Sequence, residues 1–472
     1  MQNQWVVLKF GGSSVADPGH WQTIVNVIEK RQQQGLQPLL VLSALKNVSN
    51  ALEAILHQSL AGVHPNAIDQ LKELHQGFAS KLGLDIDDAL TPWFEQLDSL
   101  CHLIAQNGHI SPQHHAQVLA IGELLSTTIG VAYLTQQGLS TYWLDARKVL
   151  QSNDHLDQWH HFTSAQCDYS YDFELAAQLS EKADVIVTQG FIASDNKNQT
   201  VLLGREGSDT SAAYLGAKLK AARIEIWTDV PGVFTANPRD IPQARQIPLL
   251  SYQQAQQLAR LGAKVLHPRA IEPAADNQIP LWVKSTSLPD AAGSIIGDQN
   301  KGLNPRHSAM MVESKVSWLR IPNGSAKTED QTQFIDDTLE PLLSLGFDQV
   351  ARFNQPEQIH FVLHYSNSDV AQPDDQSLST TYLLPTSQFK SNLGLISLMG
   401  LAGDCREKIV DLLNQHDIPY EQLFEQQDKR LVSLLLNESL TAPASRLLHA
   451  ELIENNRDNQ LGPSWQDFIR LN

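Results

Sequence analysis

The sequence predicts an open, mainly parallel α/β sheet sandwiched by helices, followed by two small α+β units. Short apolar runs alternate with helical stretches, and each run breaks into glycine, hydroxyl or acidic residues, as strands do at the ligand-facing edge of an α/β sheet. The pattern stops at the turn-rich segment 289–305, after which strand-helix-strand-strand occurs in two approximate copies. At 472 residues the chain exceeds one ordinary core. The expected division is 1–298, 299–390 and 391–472, the last two able to interlock.

Residues 5–10 form the first expected strand, with Lys9 near its end and Gly11, Gly12, Ser13 and Ser14 directly after it. Asp17-Pro18 then supplies an N-cap and a proline at the first helical position, opening a helix to about residue 34. The loop is neither GxxxxGK[ST] nor GxGxxG, so its chemistry rests on the lysine, which can aim an ammonium group at phosphates held by the turn. Residues 39–42 form a second strand ending in Ser43-Ala44, with Asn47 and Ser49 nearby; polar groups there suit a ligand or ordinary loop polarity equally. Residues 51–106 carry Leu and Ile at three- and four-residue spacing, the mark of a helical insertion. Residues 117–133 read as an apolar helix interrupted by Gly122-Glu123. A carboxylate there is costly to bury alone, so it needs a salt-bridge partner or the amino group of a ligand.

Strand 183–188 ends in Gln189-Gly190-Phe191, and a hairpin-like turn at 194–199 leads into TVLLGREGSDTSAAYLGA at 200–217. An apolar run, a turn from Gly204 to Gly207 and a Ser208-Asp209-Thr210-Ser211 helix start make a strand, glycine turn and helix N-terminus in sequence. Backbone N–H groups can approach an anion there, and Arg205 offers a planar fork for carboxylate or phosphate. Ser208 or Asp209 can also simply cap the helix. Strand 223–227 leads to Thr228-Asp229-Val230-Pro231-Gly232-Val233-Phe234 and Asn237-Pro238-Arg239. Helix 251–261 leads to Gly262-Ala263-Lys264, where the lysine is a second phosphate cation or an exposed helix residue, and strand 281–284 closes the set.

Composition sets limits on function. Against 34 basic residues stand 52 acidic ones, a formal charge of −18 with no basic run, which argues against a nucleic-acid surface. An anionic nucleotide then needs local cations, backbone N–H groups and a divalent metal. Cys101, Cys167 and Cys405 are widely spaced and outside any CxxC, the pattern of a reduced cytoplasmic protein. The N-terminus carries no charged leader, and no uninterrupted apolar run approaches a membrane span. The histidines of 151–166 lack a companion ligand motif and read as surface, so no resident metal is expected.

Taken together, Lys9-Phe10-Gly11-Gly12-Ser13-Ser14-Val15, Gly122-Glu123, Gly204-Arg205-Glu206-Gly207-Ser208-Asp209-Thr210-Ser211, Thr228-Asp229-Val230-Pro231-Gly232-Val233, Asn237-Pro238-Arg239 and Gly262-Ala263-Lys264-Val265-Leu266-His267-Pro268 resemble the motifs of the aspartokinases, within the amino-acid kinase family. They stand in the family's order over about residues 4–298, and the C-terminal part is more loosely similar to the family's paired ACT domains. The resemblance implies the amino-acid kinase fold with ferredoxin-like ACT-like units. It also implies transfer of the γ-phosphoryl group of ATP, accompanied by Mg2+, to the side-chain carboxylate of L-aspartate. The product is 4-phospho-L-aspartate, the first intermediate of the aspartate-derived amino-acid pathway. Lys9 and Lys264 would stabilise charge on the phosphates, with Asp209 as a third catalytic residue. Arg205 would hold the α-carboxylate and Glu123 the α-ammonium of aspartate; Ser43, Ser49, Phe191, Ser208 and Asp209 would line the substrate side. Gly11, Gly12, Ser13, Thr228, Asp229, Phe234 and Arg239 match the nucleotide side. A homodimer through the ACT-like sheet edges is also implied. The region lacks the effector-loop sequences of lysine-inhibited members, which leaves an amino-acid effector open.

The chain departs from the family at Glu206, where glycine is common; the intact turn around it predicts a side chain directed outward. Phe234 and Asn237 replace the commoner tyrosine and aspartate, removing a hydroxyl and a charge near the nucleotide. Competing readings are a kinase for another carboxylate such as glutamate, a catalytically weak ligand-binding or regulatory homologue, and the kinase portion of a bifunctional chain.

Overall fold

Eight strands build the main sheet of the first unit, in the spatial order Leu249–Leu250, Ser294–Ile296, Leu281–Ser285, Arg223–Thr228, Gln4–Phe10, Leu36–Leu42, Val185–Gln189 and Thr141–Leu144. The computed structural model describes residues 4–153, 157–262, 266–298, 308–322, 335, 338–343, 345–365, 372–381, 387–401, 405–425, 431–454 and 461–470. Its first unit comprises Met1–Val233, Pro248–Gln256 and Val265–Gly302; the second comprises Phe234–Ile247, Gln257–Lys264 and Leu303–Asn472.

All neighbours in the first sheet run parallel except Leu281–Ser285 with Ser294–Ile296. Parallel strands are covered on both faces, which is why Val6 to Leu8, Leu39 to Leu42 and Val185 to Val187 are continuously apolar and fully buried. The chain leaves Gln4–Phe10 for Leu36–Leu42 on one side and returns as Arg223–Thr228 on the other, so the strand order reverses at the first strand. Such a reversal is where open α/β sheets take ligands. The strand ends are level there: Ser43 N–H donates to Phe10 O at 3.2 Å, Gly190 N–H to Leu42 O at 2.9 Å, and Gly11 N–H to Trp227 O at 3.2 Å.

Asp17 caps the first long helix, Pro18–Gln33, by accepting from Gly19 N at 2.8 Å. The expected insertion is three helices, Val48–Leu60, Pro65–Lys81 and Asp87–Asn107. Helix Pro112–Gln136 follows; it is apolar and long enough to cross a bilayer, yet most of its apolar stretch is buried inside the protein, as befits a core helix. Beneath the sheet, Glu225 is fully buried and held by Arg31 through two bonds of 2.7 and 3.0 Å, by Arg223 at 2.6 Å and by the Trp227 indole at 3.2 Å. The three cysteines are buried and unbridged.

In the second unit the two expected copies share one antiparallel six-stranded sheet. Its order is Phe347–Asn354, Gln358–Tyr365, Ala309–Pro322, Gln388–Met399, Leu431–Asn437 and Gln422–Glu425. Ala309–Pro322 joins the copies by pairing with Gln358–Tyr365 on one side and Gln388–Met399 on the other. Helices Cys405–Gln415 and Glu438–His449 belong to the second copy. Of the helix expected at 330–345, residues 330–334 lie outside the described residues.

Candidate active site

At the carboxyl ends of strands Gln4–Phe10 and Leu36–Leu42 lies a cavity of about 510 Å³. One wall comes from helix Pro112–Gln136, which brings Glu123 to it at 3% exposure. Gly122 makes this possible, because a Cβ there would stand 2.9 Å from the Ala44 side chain. The helix therefore sits close enough for Glu123 Oε1 to accept from Ala44 N at 3.2 Å. Its other oxygen is buried without a hydrogen-bond partner. Desolvation pushes the carboxyl up to about 8, opposed by the Ala44 N–H bond, so the group is mostly protonated at neutral pH. The helix is fixed through Thr127, whose hydroxyl accepts from Trp143 Nε1 at 3.0 Å and from Gln189 Nε2 at 2.9 Å.

The glycine turn and the start of helix Gly207–Lys218 form another wall. Gly190 lets the strand end approach this helix, since a Cβ there would lie 2.5 Å from Ser208. Phe191, which follows at φ 67°, donates its N–H to Ser211 Oγ at 2.9 Å. Arg269 Nη1 donates to Ser164 Oγ at 2.9 Å and to Leu203 O at 3.5 Å, holding the turn from outside. Within the cavity, Lys9 is 9% exposed and its Nζ is paired with Asp209 Oδ1 at 2.5 Å. Asp209 thus fixes the direction of the ammonium.

The cavity gathers all seven expected substrate-side residues, Ser43, Ser49, Glu123, Phe191, Arg205, Ser208 and Asp209, together with Lys9 and Gly12. Glu206 also faces it, against the outward expectation. At φ 51° its backbone is left-handed, which turns the side chain toward the cavity. One carboxylate oxygen is buried and unpartnered. Desolvation, then Asp209, push this carboxyl up to about 7, with Lys9 and Arg205 opposing.

Gly11 is bonded to Trp227, one residue before Thr228, so the glycine loop and Thr228-Asp229 share the sheet edge. Thr228 is half-buried, Asp229 is exposed and Ser13 is half-buried. Phe234 and Arg239 belong to the second unit. There Phe234 is 4% exposed, its ring edge-on to Trp465 and Phe468 at 5.8 and 6.1 Å, and Arg239 is exposed. Asn237 turns its amide to Asp240 and accepts from Arg239 N–H at 3.2 Å. Lys264 lies outside the described residues. Sequence reasoning missed Lys46, His115 and Thr163 as cavity residues. Lys46 sits in the loop after the second strand, where a cation was legible; His115 and Thr163 carried no signal. His115 is held by Glu53 Oε2 at 3.0 Å.

The sequence profile of the Amino acid kinase family matches residues 4–285. The chain belongs to that family. Among curated relatives, the lysine-sensitive aspartokinase 3 of Escherichia coli is 35% identical over 305 residues, covering 64% of this chain and 65% of that one. A bifunctional aspartokinase/homoserine dehydrogenase of Haemophilus influenzae is 36% identical over 61% of this chain, which there spans only 36% of the relative. The aspartokinase of Chlamydia muridarum is 26% identical over 96% of this chain and 98% of its own. This family member also superposes on the crystal structure of E. coli aspartokinase III in complex with aspartate and ADP, with a TM-score of 0.76 and 26% identity over 95% of this chain and 99% of that one.

The state of Glu123 has a measurable consequence. Its carboxyl is raised in the folded chain, so the folded state keeps a proton that the unfolded state loses above its ordinary value of 4.5. The stability tied to this proton is complete below that value and is lost as pH rises toward about 8. Glu123→Gln, which keeps the oxygen that accepts from Ala44, is expected to leave Tm unchanged near pH 5 and raise it by ~2 °C or more at alkaline pH in thermal unfolding.

Proposed function

We propose that this amino acid kinase is an aspartate kinase, transferring the γ-phosphoryl group of MgATP to the side-chain carboxylate of L-aspartate. The observation that carries the reading is Glu123, a buried carboxyl with one unpartnered oxygen facing the same cavity as Arg205 and Lys9. A substrate ammonium would donate to that oxygen and its charge would favour the carboxylate, releasing the Glu123 proton to solvent, and Arg205 would receive the α-carboxylate through its planar fork. The substrate's side-chain oxygen then attacks the γ-phosphorus, the bond from that phosphorus to the β,γ-bridging oxygen breaks, and ADP leaves. Lys9 would exchange Asp209 for phosphate oxygens, so its charge is available as the phosphoryl group moves; the work is positioning and electrostatics. The similarity to an aspartokinase solved with aspartate and ADP supports this choice of substrates. Magnesium enters with the nucleotide.

A cytoplasmic homodimer fits the same reading, with the edge strands Phe347–Asn354 and Gln422–Glu425 of the second unit as pairing surfaces. A second reading, a catalytically weak homologue, is favoured by one observation, the inward carboxyl of Glu206.

Acyl phosphate trapped with hydroxylamine tests the proposal. ATP- and magnesium-dependent product is expected with aspartate, little with glutamate, and at least ~100-fold less in Lys9→Ala. No product from folded wild type would contradict the proposal. Glu206→Gly distinguishes the second reading. Because Glu206 is ionised above about 7, the variant is expected to lower KM for ATP more at pH 8 than at pH 6. A large rise in kcat instead would favour the weak homologue.

A further inference from the structure

Outside the active site, the helical insertion brings together His64, Asp98 and His102. His64 stands directly before helix Pro65–Lys81, while Asp98 and His102 are one turn apart on the same face of Asp87–Asn107. One donor atom from each lies within 4.8 Å of the other two. His64 Nε2 is 4.0 Å from Asp98 Oδ1, His102 Nδ1 is 3.4 Å from Asp98 Oδ2, and the two rings meet edge-on at 5.1 Å. His64 is only 2% exposed, yet neither of its ring nitrogens has a hydrogen-bond partner. Burying an imidazole in this way forfeits hydrogen bonds to water with nothing in return, unless a ligand supplies the bond.

We propose that His64, Asp98 and His102 form a binding site for a borderline divalent transition metal, Zn2+ foremost. Two imidazoles and one carboxylate are a zinc-type donor set with a fourth position left for water, and are too rich in nitrogen for Mg2+ or Ca2+. The donors must close to about 2.0–2.2 Å from the ion. Asp98 and His102 have the freedom to do this, with side chains 49% and 59% exposed, while His64 is the fixed point. The backbone oxygen of Asp98, 2.9 Å from His102 Nδ1, steadies the second ring. The ion clamps the start of one insertion helix to the middle of the next.

The test uses the metal-free full chain, with Zn2+ measured by competition against a colorimetric chelator and Co2+ as a spectroscopic probe. The expected result is one equivalent per chain, a visible Co2+ band abolished by Zn2+, and a rise in Tm with Zn2+. Asp98→Asn and His102→Ala change exposed side chains, and far-UV circular dichroism confirms their folding; each is expected to weaken binding at least ~10-fold. Binding that is the same in wild type and both variants overturns the site, as does the lack of a stoichiometric equivalent in wild type.

Discussion

A carboxyl group buried without full compensation sets the character of this molecule's active site. Glu123 has lost its water, accepts one backbone N–H bond and keeps one oxygen without a partner. A packed helix interior tolerates this only because the proton stays on, and a ligand cation is what would let it leave. Much of the local structure serves that placement. Gly122 lets the helix close on Ala44, and the Thr127 hydroxyl ties the same helix to Trp143 and Gln189, the last residue of a neighbouring strand.

The same economy governs the Lys9 side of the cavity. Lys9 and Asp209 form an ion pair, so the cavity holds its buried cation with a counter-charge beside it. Glu206 disturbs this arrangement by adding a second raised carboxyl beside the first pair. Its left-handed backbone costs about 1 kcal/mol or more in a residue other than glycine, a strain the fold retains at the turn that lines the cavity.

What the sequence made legible was local. Continuous apolar runs ending in Lys9-Phe10-Gly11 or Gln189-Gly190 read directly as parallel strands with a ligand edge, and a lone Glu123 within an apolar helix announced its own cost. The direction of Glu206 was not legible, because it depends on one backbone angle that an intact motif does not encode. His115 and Thr163 reach the cavity through tertiary packing of helices Pro112–Gln136 and Gln158–Thr163, which periodicity does not resolve. Phe234 was expected at a nucleotide, yet it lies in an aromatic cluster with Trp465 and Phe468, partners distant in the chain. The sharing of one sheet by the two C-terminal copies was hidden for a similar reason: strand-helix-strand-strand says nothing of which edge pairs with which. His64 and His102 formed no motif, since the packing of two helices joined by a loop brings them into range.

The measurement that tests the central claim most directly is the proton balance of aspartate binding, taken calorimetrically at pH 7 in buffers of different ionisation enthalpy, without nucleotide. With Glu123 raised to about 8 and Glu206 to about 7 in the same cavity, binding should release close to one proton more from wild type than from Glu123→Gln, the difference removing the share of Glu206. Equal proton release from wild type and Glu123→Gln on aspartate binding would mean that Glu123 does not receive the ammonium, and would contradict the account.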